Sequence, residues 1–335
     1  MARALRLWTA LAALAAAALV LALTTGSSAL PAGEVLRTLF TGDDGSPAAL
    51  VLWQLRLPRA LAAAAAGGLL AVAGALMQVL LRNPLADPYV LGVSSGAAVG
   101  ALGALGLGLG ALAVQAGAFG GALLTIVAVF ALARRDFSRL ATAGAADPTP
   151  RLLLTGVVLG AGWVALITLM LSLAPEVRLR GMLFWLAGDL SGAEGGGVAL
   201  VVLGIALALT WPLARSLNVL LRGPTVAAAL GVRVVPLRRV VYLVASLATA
   251  VAVTTCGSIG FVGLVVPHAL RLVFGNDQRV LLPASALAGA TLLLLADTVA
   301  RTVLAPQQLP VGVVTALVGV PTFLVLLTRA PRGAS

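Results

Sequence analysis

The chain has 335 residues, 61% of them hydrophobic and only 10% charged, and its mean hydropathy is +1.09. Soluble domains carry about 25% charged residues, so a soluble globular protein is excluded, and recurring apolar runs of roughly 20 residues predict an all-α polytopic membrane protein. The formal net charge of +11 is scattered at the ends of those runs, which argues against a nucleic-acid surface and for loops obeying the positive-inside rule.

In chain order, Arg3 and Arg6 precede a first apolar run from about Leu7 to Leu23. It is longer than the apolar core of a cleaved leader (about 7–15 residues) and no clean A-x-A site follows, so it is read as a span. Further spans are expected at about 57–81, 91–112, 114–133, 151–174, 195–213, 237–257, 259–274, 280–304 and 309–328, ten in all. The eighth would reach only about 24 Å at 1.5 Å per residue, so it is expected to be tilted, broken or partly re-entrant. Residues 30–55 form an outer loop with a short amphipathic piece, and 175–194 a second outer segment with an interfacial helix carrying Trp185. Residues 214–236 form an inner loop broken by Gly223-Pro224 and Gly231. No linker divides the chain, so 1–335 reads as a single transmembrane domain.

Ten spans place both termini on one side. That side holds sixteen Arg, among them Arg3, Arg82, Arg222 and Arg332, against six on the other: Arg37, Arg56, Arg59, Arg178, Arg180 and Arg301. The richer side is expected to be cytoplasmic, in a multi-pass cell-membrane protein.

All 22 basic residues are Arg. A Walker A loop needs a Lys to reach nucleotide phosphates, so any ATP hydrolysis must come from another polypeptide. One Cys and one His exclude an internal disulfide and leave no zinc cluster; no metal site or cofactor is expected.

The string "RNPLADPYVLGVSSGA" (82–97) contains G-x-S-x-G, the nucleophile elbow of soluble α/β hydrolases. Here it opens a span, and a Ser94 or Ser95 pairing with His268 is the only catalytic arrangement on offer. Gly92, Gly96 and Gly100, spaced at i, i+4 and i+8, read instead as a small-residue helix-packing face. Pro84 and Pro88 stop the preceding helix, while Asn83 and Asp87 suit a tight turn. His268 reads as structural rather than as a ligand, since an isolated imidazole makes a poor site. Asp297 is the only acidic residue near a span interior; a proton-coupling role is weighed against a local pair with Arg301 at i+4.

The strings "LRLPRALAAAAAGGLLAVAGALMQVLLRNPLADPYVLGVSSGAAVGA" (55–101), "LLLTGVVLGAG" (152–162), "MLFWLAGDLSGA" (182–193) and 257–329 closely resemble permeases of the iron-chelate, haem and cobalamin ABC importers, the FecCD-like family. The resemblance implies a type II ABC importer permease and no enzyme activity. Its implied partners are a second permease subunit (homo- or heterodimer), two separate ATPase subunits, an extracytoplasmic solute-binding protein and membrane lipid, with no nucleic acid. Arg56, Arg59 and Arg301 match family positions where the binding protein docks, and the charge count had already set them outside. Segment 214–236 matches the ATPase-coupling loop, with Gly223, Ala227, Leu230 and Gly231 keeping the pattern but Pro224 and Thr225 standing where acidic residues are common. A ferric siderophore is the expected cargo, with cobalamin or haem as the alternative. An ion-coupled secondary transporter is the rival from another class and would normally show charged relays inside the spans.

Overall fold

The computed structural model describes residues 2–26, 30–42, 45–138, 149–193 and 195–329; Arg332, counted above on the inner side, lies outside them. The described residues form helices and connecting turns only. These are α1 Ala2–Thr24, α2 Ala32–Thr41, α3 Pro47–Leu50, α4 Leu57–Leu80, α5 Val93–Gly106, α6 Ala111–Ser138, α7 Thr149–Leu173, α8 Glu176–Leu186, α9 Gly196–Thr210, α10 Ala214–Leu220, α11 Pro224–Ala229, α12 Val234–Cys256, α13 Val262–Phe274, α14 Gln278–Thr302 and α15 Val311–Arg329. A π-helical turn, Val51–Arg56, joins α3 to α4, and a 3-10 turn, Pro88–Leu91, leads into α5.

Six helices are long and apolar enough to cross a membrane: α1, the continuous α3–α4 rod, α6, α7, α12 and α14. The α9–α10 pair, bent by 67°, makes a seventh, and the shorter apolar α5, α13 and α15 complete the expected ten. The eighth span is short because its N-terminal end is irregular. Gly257 and Phe261 take φ of 70° and 68°, and the buried backbone at Ile259 is satisfied by Tyr89, whose hydroxyl accepts from Ile259 N (3.0 Å) and donates to Ile259 O (2.9 Å). Non-helical backbone at membrane depth is tolerated only where protein satisfies it in this way.

The centre of the bundle is α4, whose sequence is mostly Ala, Gly and Leu and whose residues 62–80 are almost all buried. Without a hydrophobic drive between helices in lipid, association rests on close van der Waals packing, which small residues permit. Gly67 lies backbone to backbone against Gly289 of α14, and Gly74 against Gly263 of α13; α9 and α12 cover the remaining faces. Tyr242 of α12 donates to the Ile126 carbonyl of α6 at 2.7 Å and stacks on Phe130. By contrast, α1 and α7 bury only 17% and 11% of their apolar windows inside the chain; most of their surface is left for lipid or another subunit.

Candidate functional site

At one end of the bundle, Arg56 of the π-turn and Arg301 of α14 converge on the end of α1, beside Arg59 of α4. The last four carbonyls of an α-helix lack intrahelical donors and carry the negative end of its dipole. For α1 these groups are met by guanidinium donors. Arg56 Nη1 donates to Leu23 O (2.7 Å) and Thr24 O (3.1 Å), and Arg301 Nη2 donates to Ala22 O. Arg59 forms a bidentate pair with Asp297, its Nη2 at 2.8 Å and Nε at 3.0 Å from Oδ1, and its Nη1 donates to Gln308 Oε1 at 2.7 Å. Arg301 Nε stands 3.5 Å from Asp297 Oδ2.

The charge count set these arginines outside at positions that match a docking face, yet their side chains are largely buried, Arg56 at 5%, Arg59 at 12% and Arg301 at 9% exposure. The reason is tertiary: α1 ends beside them and needs capping. The π-turn just before α4 swings Arg56 toward α1. The three guanidinium groups lie close together, and two of them, on Arg59 and Arg301, share the carboxylate of Asp297. They line a cavity of about 580 Å³ together with Gln54, Ser191 and Gln308.

At the opposite end of α14, the 214–236 segment forms two short helices. Gly223 (φ 111°) precedes Pro224 at the start of α11. At its other end Val232 N bonds Ala227 O (2.9 Å) and Gly231 N bonds Ala228 O (3.0 Å), with Gly231 at φ 81°. This is a Schellman closure, which wants glycine at the left-handed position. Ala227 is fully buried and anchors the helix, while Val226 and Leu230 are 46% and 67% exposed. Arg82, Arg222 and Arg233 are exposed around them, and Arg82 Nη1 lies 3.7 Å from where a Cβ on Gly223 would stand.

Between the two ends, the G-x-S-x-G stretch lies against α7 and the start of α13. Ser94 Oγ lies 3.0 Å from Ser258 Oγ, and Ser95 donates to Gly92 O. Neither serine touches His268, whose ring packs edge-on against Phe323; among the described residues its nitrogens have no partner and no Ser–His pair occurs. Gly96 and Gly100 face Gly121 and Gly117 of α6, whereas Gly92 (φ 74°) precedes α5 and faces Gly156 and Gly160 of α7. Among the described residues no group of three metal-ligating side chains occurs. Sequence reasoning missed Gln78 of α4, which accepts from Arg271 (2.7 Å), and Asn218 of α10, which bonds Asp277 (2.8 Å). Polar side chains flanking apolar runs were the available signal.

This arrangement, a helical membrane bundle with an arginine-lined cavity at one end and an exposed two-helix elbow at the other, belongs to a known class. Residues 14–329 match the profile of the FecCD transport family. The chain belongs to that family. This FecCD protein is 44% identical over 287 residues to the cobalamin import system permease BtuC of Halobacterium salinarum, covering 83% of the chain and 73% of the relative. It is 43% identical over 288 residues to the vitamin B12 import system permease BtuC of Escherichia coli, covering 84% and 85%. Among solved structures, an inward-facing metal-chelate type ABC transporter superposes with TM-score 0.83 at 30% identity over 97% of this chain and 99% of that one. PsaBC from Streptococcus pneumoniae, at 19% identity and TM-score 0.55, shares the fold. The FecCD protein is therefore a multi-pass membrane permease of the ABC importer class.

Proposed function

We propose that this permease passes cobalamin, or a close corrinoid, from a solute-binding protein on its outer face into the cell. The observation carrying the reading is the 43–44% identity, over more than four-fifths of the chain, to permeases named for cobalamin and vitamin B12 import. It replaces the ferric siderophore favoured from sequence, which had only generic apolar walls to go on. ATP hydrolysis falls to separate ATPase subunits, since a chain without Lys has no phosphate-loop Lys.

Residues 1–335 act as one permease domain, pairing with a second permease subunit and surrounded by membrane lipid. Segment 214–236 is the ATPase contact, with Val226 and Leu230 as an apolar knob. The Arg56–Arg59–Arg301 cavity receives an acidic group of the binding protein through its guanidinium donors. Sixteen Arg against six put both termini in the cytoplasm.

Vesicles carrying the permease, its ATPase and an enclosed ATP supply, given labelled cobalamin, ferric siderophore or haem on the loaded binding protein, test the cargo. Cobalamin uptake is expected to exceed the other two. Equal or faster uptake of the siderophore would return the cargo to the iron-chelate class.

A further inference from the structure

The groove between α6 and α9 has no part in the reading above. Both helices pack on α12, yet they make no substantial contact with each other. A cavity of about 360 Å³ occupies the gap, and a second of about 270 Å³, between the start of α6, α8 and the 189–193 loop, adjoins it by sharing Gln115, Thr254 and Thr255. The smaller adds Trp185 and Asp189 to its lining. The larger adds Phe119, Val202 and Val251.

The order of these residues along their helices gives the groove a polarity. Gln115, Thr254 and Thr255 lie within about a turn of the ends of α6 and α12 that adjoin the 188–193 loop. Phe119, Val202 and Val251 lie about one turn deeper on α6, α9 and α12. The polar level is incompletely satisfied. Thr249 and Thr255 of α12 donate back to their own helix at Ala245 O and Val251 O, the usual solution for hydroxyls in apolar helices. The Thr254 hydroxyl does not: it is buried and has no partner among the described residues. Above this level the only charged group among the described lining residues is Asp189, whose carboxylate accepts from Ser191 N (2.8 Å) and Oγ (2.6 Å).

We infer that this groove binds a phospholipid with an amine headgroup. The acyl chain lies along Phe119, Val202 and Val251, the glycerol-ester oxygens accept from Thr254 and Gln115, and the ammonium group pairs with Asp189. The sequence of charge, hydrogen-bond donors and apolar wall from the bundle end inward matches an amphiphile in one membrane leaflet. A headgroup of net negative charge would meet Asp189 unfavourably.

Native mass spectrometry of the permease purified in mild detergent, then exchanged into nanodiscs of phosphatidylethanolamine and phosphatidylglycerol, tests this. Wild type is expected to retain phosphatidylethanolamine in preference. Val202→Trp, which fills the deep lobe, is expected to lower retention by about tenfold. Val198→Trp, at a position 67% exposed on the rim, serves if the first variant does not fold. Asp189→Asn is expected to keep a bound lipid but lose the headgroup preference. Absence of retained lipid in wild type, preference for phosphatidylglycerol, or unchanged retention in a folded groove-filling variant would each overturn the site.

Discussion

The densest electrostatics in this permease gather at Asp297. Its carboxylate, 2% exposed, holds Arg59 in a bidentate pair and stands beside Arg301. Removing one partner of a buried ion pair strands the rest, at about 3–5 kcal/mol. Asp297→Ala is therefore expected to cost about that much, because two guanidiniums lose their counter-charge, and to lower the melting temperature of the detergent-purified permease. Arg56→Ala is expected to cost less, since α1 loses a cap while the Arg59–Asp297–Arg301 network stays in place. Equal melting of Asp297→Ala and wild type would mean the network contributes nothing. The Asp297–Arg301 half was legible in the sequence because four residues along a helix make neighbours. The Arg59 half was not: 238 positions separate the partners, and only the packing of α4 on α14 brings them together. Burial of Arg56, Arg59 and Arg301 was hidden for the same reason, since no local pattern announces that α1 ends beside them.

Helix–helix crossings make glycine the informative residue. Where α5 meets α6, a Cβ on Gly100 would run into the Gly117 carbonyl, while one on Gly120 of the same α6 meets nothing within 4 Å. Gly100→Val is expected to lower folded yield and melting temperature sharply, and Gly120→Val to be tolerated; equal losses would show that propensity, not packing, sets the effect. The i, i+4 spacing made the Gly96–Gly100 stripe readable, but Gly92, at φ 74°, ends a 3-10 turn and belongs to a different contact. The elbow of α10 and α11 was visible only as a break at Gly223-Pro224 and Gly231. On it, Val226 and Leu230 protrude within a ring of exposed arginines, Arg82, Arg222 and Arg233, a surface suited to an apolar socket with an acidic rim. Rim charges mainly set association rates and their salt dependence. Arg222→Glu with Arg233→Glu is expected to slow ATPase binding and flatten its salt slope, whereas Val226→Ser with Leu230→Ser should weaken binding and leave the slope intact. A salt slope unchanged by the arginine pair would assign the ring to anionic lipid instead.

At the scale of the whole molecule, α14 joins the two ends that matter. It is 25 residues long, about 37 Å at 1.5 Å per residue, and carries Asp297 and Arg301 near one end. Its other end is tied to the α10 elbow: Asn218 Nδ2 donates to Asp277 Oδ1 at 2.8 Å, and Gln278 N donates back to Asn218 Oδ1 at 2.8 Å. Trp211 of the α9–α10 bend adds a bond to Arg279 O at 3.0 Å. Asp277 is held down to about 2, chiefly by hydrogen bonds from Arg279. A depressed carboxylate contributes stability that is complete above its ordinary range near 4 and is lost only as pH falls through about 2. At physiological pH the tie is therefore fully charged. A shift of the elbow is expected to reach α14 through these bonds and, along the helix, the arginine cavity, because packed elements shift as bodies. Asn218→Leu removes both hydrogen bonds and leaves Gln278 N unpaired, a cost of about 1–3 kcal/mol, while the exposed face of α11 stays unchanged. The variant is expected to bind its ATPase and permit ATP hydrolysis normally, yet to lose stimulation of that hydrolysis by the loaded binding protein and to import less cargo per ATP. Hydrolysis in proteoliposomes with and without the binding protein, alongside uptake, measures both. An unchanged ratio of uptake to hydrolysis would mean that the two ends communicate by another route through the bundle.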